Sequence, residues 1–289
     1  MPRPFRKPYV AGYFYPGERG ELLNELDRIF KSGRGPGLVI DKRWAGKKVL
    51  GGIFPHAGYQ YSGEIAAHGY AAYFGSGLKK LIILIGPNHH GLGASISVYP
   101  GGVWETPLGV VKVDKDFSNI LSSYKGYIAL DEQGHKYEHS IEVHIPFLQY
   151  LHSLGNKEFS IVPITMLLQV SNAVIELGDA LLETLKSYDI DDIFIVASTD
   201  FTHYESSEEA RSKDEKAFES IINLDSISLI QNVYEYDISM CGFGPTATLL
   251  YIAKRLGGYK AELLKYGHSG EVTGDDSNVV SYATFIIYK

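Results

Sequence analysis

Apolar residues along this chain fall into two patterns. The runs at 49–54 (VLGGIF), 81–85 (LIILI), 160–164 (SIVPI) and 193–197 (IFIVA) are apolar or small at nearly every position. Such runs read as strands buried on both faces, as in a parallel sheet covered by helices. Elsewhere the apolar positions recur at helical spacing: Leu22, Leu23, Leu26, Ile29 and Phe30, an alanine-rich stretch around Ile65, and 173–186, 208–222 and 245–255. The segment 208–222 is charged enough for a surface helix, and the last helix opens just after Cys241-Gly242-Phe243-Gly244. Shorter strand candidates at 95–99 and 110–113 predict some antiparallel pairing, and 261–266 and 279–288 read as late strands. Strands alternating with helices predict an α/β fold whose crossovers have the usual right hand.

Three of the apolar runs end in histidine-bearing turns. Residues 49–54 lead into Pro55-His56, 81–86 into Pro87-Asn88-His89-His90, and 193–198 into Thr199-Asp200-Phe201-Thr202-His203. In open α/β sheets ligands bind outside the carboxyl ends of the strands, so these turns are expected on one edge, where remote imidazoles and a carboxylate converge. A rigid base beneath each imidazole suits a metal of fixed geometry. His56 and His89 have that setting; His90 is adjacent and is the other choice for the second turn.

Further candidates lie off those turns. Asp200, three residues before His203, either orients that imidazole for proton transfer or caps a helix beginning near Thr202. The segment Glu138-His139-Ser140-Ile141-Glu142-Val143-His144-Ile145-Pro146 concentrates polar groups in apolar sequence. His139 and Glu142 would share a helical face, His144 would turn away, and Pro146 would disturb continuation. It lacks the four-residue histidine spacing of zinc proteases. Either these groups support the metal ligands and touch substrate, or they form a satisfied buried polar cluster. Cys241 precedes a helix start, where backbone N–H groups favour the thiolate; a small buried hydrophobe is the alternative.

Composition narrows the function classes. The 289 residues are 45% hydrophobic, enough for one large α/β domain or two of ordinary size, and no composition shift marks a boundary. The net charge of −7 and the lack of a long basic cluster speak against a nucleic acid partner. The single cysteine excludes an internal disulfide framework and fits a reducing, cytoplasmic compartment. No apolar stretch reaches the roughly 18 residues that span a bilayer, and the start MPRPFRKPYV lacks a secretory apolar core. Tyrosine numbers 21 and methionine 3, a bias compatible with a hot habitat.

With these residues assembled, the sequence resembles the MEMO family, the B component of the AmmeMemoRadiSam set, which is similar in fold to class III extradiol ring-cleaving dioxygenases. The likeness runs end to end through VAGYFYP (10–16), PHAGY (55–59), GPNHH (86–90), EHSIEVHIPFLQ (138–149), STDFTHY (198–204), MCGFGP (240–245) and DDSNVVSYA (275–283). It implies a single α/β domain over 1–289 with a central mixed, mostly parallel sheet flanked by helices. It also implies a metal pocket using His56, His89 and Cys241, lined by His203 with Asp200 near it. The dioxygenases place a glutamate where this family has its cysteine, so an iron site of two histidines and one carboxylate is altered. Thiolate is softer and more electron-donating, which shifts the preference toward copper, iron or zinc.

The leading expectation is therefore an iron(II)- or copper-binding redox protein acting on a small phenolic or other oxygenated compound, with His203 as acid/base. A zinc hydrolase with an activated water is the second reading. A non-catalytic module binding a phosphorylated peptide or partner protein is the third, and it is disfavoured because no arginine occurs in the pocket motifs. The family name further implies association with AMMECR1-like and radical SAM proteins.

Overall fold

A computed structural model describes residues 4–124 and 126–289. Among the described residues twelve strands make one mixed sheet: β1 (Phe5–Arg6), β2 (Val49–Phe54), β3 (Leu81–Pro87), β4 (Ile96–Val98), β5 (Val103–Thr106), β6 (Gly109–Val113), β7 (Ile128–Leu130), β8 (Ser160–Met166), β9 (Ile193–Ser198), β10 (His203–Glu205), β11 (Lys260–His268) and β12 (Val279–Tyr288). The main path runs β1-β5-β6-β8-β3-β9-β2-β12-β10. Its centre, β6-β8-β3-β9-β2, is parallel, while β12 runs antiparallel to β2, β10 and β11, and the β5–β6 hairpin is antiparallel. The expected α/β class is observed, compatible with the dioxygenase-like architecture that the resemblance implies.

The apolar runs are strands because both of their faces are covered. In β3, Leu81, Ile83 and Ile85 point to one core and Ile82 and Leu84 to the other; in β9, Ile193, Ile195 and Ala197 oppose Phe194 and Val196. One face is covered by α1 (Arg19–Lys31), α2 (Glu64–Ser76) and α4 (Ile145–Leu154). The other carries α3 (Lys115–Ser122), α5 (Ser171–Leu185), α6 (Ser207–Ile222), α7 (Ser226–Glu235) and α8 (Phe243–Leu256). Period-two alternation within each strand thus divides the buried side chains between two layers. Among the described residues no helix is long and apolar enough to cross a membrane.

The structure departs from the sequence pattern at two places. No helix begins near Thr202: residues 203–205 pair with β12, and α6 starts at Ser207, where the Ser206 hydroxyl accepts from the Glu209 amide. Asp200 is therefore not a helix cap. Nor does Pro146 interrupt a helix, because it sits in the first turn of α4, where its missing N–H has no partner to lose. Residues 138–141 precede a 3-10 turn at Glu142–His144 that leads into α4, so His139 lies outside the helical segment and does not share a helical face with Glu142.

The core holds neutral histidines outside the strand-end turns. His135, fully buried, hydrogen-bonds the Ser97 carbonyl through Nε2, and burial holds its pKa down to about 3. His152 lies against Tyr73 Oη at 2.9 Å, and burial lowers it to about 4. Both folded values lie below the ordinary 6.5, so the unfolded chain binds more protons in the interval between. Their contribution to stability is complete above about pH 6.5 and declines toward pH 3–4, by about 1.4 kcal/mol per pH unit per histidine. Urea midpoints of the metal-free protein should fall between pH 7.5 and pH 5, with a shallower fall in His135→Gln. Equal midpoints at the two pH values would contradict this.

Candidate metal centre

The parallel register brings the histidine turns together. Phe54 of β2 pairs with Ser198 of β9, and Ile85 of β3 pairs with Ala197 of β9, so the three carboxyl ends are level and adjacent. His56 follows β2, His89 follows β3, and Thr199-Asp200 follow β9. Donor atoms of His56, His89 and His139 lie within 4.8 Å of one another. The His56 and His89 ring centroids are 5.2 Å apart, and His139 stacks on His89 at 4.7 Å. His139 enters from the loop before α4, against the Phe14 ring.

Cys241 reaches the same place from the approach to α8. Its Sγ is 3.3 Å from His56 Nε2 and accepts the Asp200 N–H at 3.2 Å. Three contacts hold the turn: Gln169 donates to the Cys241 carbonyl and accepts from the Gly244 N–H, and Thr199 Oγ1 accepts from the Gly242 N–H. A side chain at position 242 would run into the Ser198 carbonyl and Thr199 Cβ, so glycine is required for this approach. The thiolate expected from the helix start is not favoured in the metal-free site. Burial and then the neighbouring Asp200 push the thiol pKa well up, outweighing the hydrogen bond from the Asp200 amide. A bound cation would reverse that balance.

Both strand-end imidazoles have Nδ1 held by an oxygen, and the Nε2 of His56 faces the Cys241 sulfur. His89 Nδ1 lies 2.9 Å from Glu138 Oε1, and the Glu138 carboxylate also accepts the backbone N–H groups of His89, His139 and Ser140. His56 Nδ1 is 2.7 Å from Ser198 Oγ. Metal-bound histidines usually direct their second nitrogen to such a carboxylate or oxygen, so these residues fit a transition metal. Burial, then the neighbouring His89 and His139, hold His56 well below the ordinary imidazole range. Burial lowers His139 to about 4. For His89 burial acts downward, but Glu138 outweighs it and raises the value; Glu138, despite its own burial, is held at about 2 by His89 and His139. His56 and His139 are thus neutral and ready ligands, whereas His89 would release a proton on binding a metal.

Asp200 is buried, its Oδ1 accepts the His56 N–H at 2.8 Å, and Oδ2 is 4.0 Å from His56 Nε2. Burial raises it to about 6 against the opposing pull of His203 and the His56 amide. Among the described residues no hydrogen bond links Asp200 to His203. His203 opens β10, its amide donates to Ser239 Oγ, and its Nδ1 is buried without a partner. Both residues line a cavity of about 450 Å³ with His139 and the aromatic rings of Phe14, Tyr61 and Tyr282.

The remaining sequence candidates have other surroundings. His90 faces outward between Tyr9 and Tyr137, with ring centroids 6.3 and 6.1 Å away, so His89 is the imidazole that meets His56. His144 is buried between Tyr70 Oη (2.9 Å) and Ser198 Oγ (2.7 Å). Glu142 is fully buried and its oxygens take Arg6 Nη1 (2.7 Å), the amides of Tyr9 and Val10, and the Tyr15 hydroxyl. It ties the N-terminal segment to the turn before α4, and among the described residues it makes no hydrogen bond or ion pair with a pocket imidazole. The sequence places Glu138 in its polar segment without a role of its own and leaves Ser198 and Arg6 unmarked. Ser198 ends a strand run and Glu138 precedes His139, and neither position announces a partner.

The fold and site define an α/β protein with a cluster of three imidazoles, one buried and two partly open to solvent, at the carboxyl edge of its sheet, able to hold a transition metal ion. The sequence model of the family described as Memo-like protein matches residues 6–286. A MEMO1 family protein of Methanopyrus kandleri is 40% identical over 98% of this chain and 99% of its own length. Others from Pyrobaculum arsenaticum and Methanosarcina barkeri are each 42% identical over the same shares. The chain belongs to the Memo family.

Glu142→Ala should destabilise the chain by about 3–5 kcal/mol, because Arg6 is left buried and uncompensated. Metal content per folded molecule should stay within twofold of wild type. Urea titration with metal analysis of the folded fraction checks both, and unchanged stability with lost metal would instead make Glu142 part of the centre.

Proposed function

We propose that this chain is a redox protein that holds iron(II) or copper through His56, His89 and Cys241 and acts, with dioxygen, on a small phenolic or related compound. What supports this reading is that His56 and His89, each with Nδ1 held by an oxygen, lie with ring centroids 5.2 Å apart, and that Cys241 Sγ is 3.3 Å from His56 Nε2. The Sγ–Nε2 separation of 3.3 Å is close to the about 3.5 Å that sulfur and nitrogen subtend on one tetrahedral cation with bonds of about 2.3 and 2.0–2.1 Å. Imidazole and thiolate together suit iron or copper better than hard cations. When bound, such a metal supplies one-electron and dioxygen chemistry that side chains lack. The chain's own part is binding and proton handling. Phe14, Tyr61 and Tyr282 offer flat apolar faces to a ring and limit water, and Asp200 with His203 accepts and returns a phenolic proton at the cavity wall.

Metal analysis of anaerobically purified protein should find about one ion per chain, lost in His56→Ala and His89→Ala. Cys241→Ser should lose it as well, whereas His139→Ala should retain it. No stoichiometric metal in the wild type, or undiminished metal in His56→Ala, would overturn the reading. Turnover of catechol-type probes should stop when oxygen is excluded.

The three-imidazole cluster of His56, His89 and His139 favours a second reading, because three histidines with an open position are a catalytic zinc set that activates water. In that case His139→Ala, not Cys241→Ser, empties the site, and activity persists without oxygen.

A further inference from the structure

Three groups meet at the Ser198 hydroxyl: the Ser140 carbonyl, His56 Nδ1 and His144 Nε2, each 2.7 Å from Oγ. All four residues are at most 2% exposed, so water has little access to substitute for any of these contacts. A hydroxyl has one hydrogen and two acceptor lone pairs. The Ser140 carbonyl can only accept, so the hydroxyl hydrogen goes there. Both imidazole nitrogens must then donate to Ser198. His144, with its proton on Nε2, is left with a bare Nδ1 that accepts from the Tyr70 hydroxyl at 2.9 Å, and every group in the chain is satisfied. The opposite tautomer of His56 would set two lone pairs against each other at 2.7 Å, or draw the hydroxyl hydrogen off the Ser140 carbonyl and leave that oxygen buried and unpaired.

We propose that Ser198 is a positioning residue that fixes the proton of His56 on Nδ1, so that the bare Nε2 is presented to the metal centre beside Cys241. This rests on the metal-binding reading only for its consequence, since the proton's place follows from the hydrogen bonds alone. At His89 the same tautomer is imposed by a carboxylate, Glu138, on a side chain that remains 30% exposed. At fully buried His56 a neutral hydroxyl does it without adding another buried charge. Its position is determined by β9, whose last residue, Ser198, is paired with Phe54, two residues before His56.

The test is a long-range proton–nitrogen correlation spectrum of the metal-free full chain labelled with ¹⁵N-histidine, with His56→Gln used to assign the resonances. Wild type should show His56 protonated on Nδ1 with an unprotonated Nε2. Ser198→Ala should move a substantial population to the Nε2–H form and weaken iron(II) and zinc(II) binding, measured anaerobically against a chromophoric chelator, by about tenfold or more. Ser198→Thr, which keeps the hydroxyl, should restore the wild-type tautomer. A wild-type His56 carrying its proton on Nε2 overturns the proposal whether or not the alanine variant folds. So does a folded Ser198→Ala chain with unchanged tautomer and affinity. A wild-type chain that binds neither metal would overturn the proposed function instead, while its spectrum would still judge the tautomer.

Discussion

The register between β9 and its two neighbours is the constraint on which the rest of the molecule depends. Because Phe54 lies opposite Ser198 and Ile85 opposite Ala197, three parallel strands stop at one level. A one-residue slip in any of them would send alternate side chains to the wrong face and carry His56 or His89 out of reach of the others. The register is held by packing on both sides of the sheet: Ile83, Ile85, Ile195 and Ala197 belong to one core, and Phe54, Leu84 and Val196 to the other. The geometry of the centre is thus maintained by apolar burial remote from any chemistry.

Placing so many titratable groups in a buried edge creates a hydrogen-bonding problem, and the site solves it with few residues. Glu138 accepts from three backbone amides and one imidazole, Ser198 joins two imidazoles to a carbonyl, and Asp200 takes the His56 amide. His56 Nε2 is thereby left facing the Cys241 sulfur at 3.3 Å. Close approach has its own requirement. Gly242 lets the Cys241 turn lie against the Ser198 carbonyl, and Gly86 makes room for Ser140, whose hydroxyl donates to the Pro87 carbonyl. Membership of the Memo family accords with this architecture along the whole chain.

Glu142 shows how a polar cluster can serve the site without entering it. Its carboxylate gathers Arg6, Tyr9, Val10 and Tyr15, so the segment that carries Phe14 to the His139 ring is tied to the same turn that carries His139. Arg6 in addition donates to the carbonyls of His135 and Glu138. The cavity wall and the His139 turn are therefore joined through one buried ion pair.

By itself the sequence determined the central strands, the helices over 173–186, 208–222 and 245–255, and the meeting of the histidine turns, because unbroken apolar runs and helical periods are local consequences of burial. It also determined the family, since the motifs around His56, His89, Asp200 and Cys241 occur in one order. Tertiary structure alone decided between His89 and His90, which differ only in which way adjacent side chains leave one turn. It alone denied Asp200 a helix to cap, because Thr202 and His203 are drawn to β12, far along the chain. It alone brought His139 beside His89, buried Glu142 on Arg6, and gave Ser198 its three partners. Hydrogen-bond partners separated by 50 to more than 130 residues leave no local period, and burial is a property of the packed chain, so neither could be read before the fold existed.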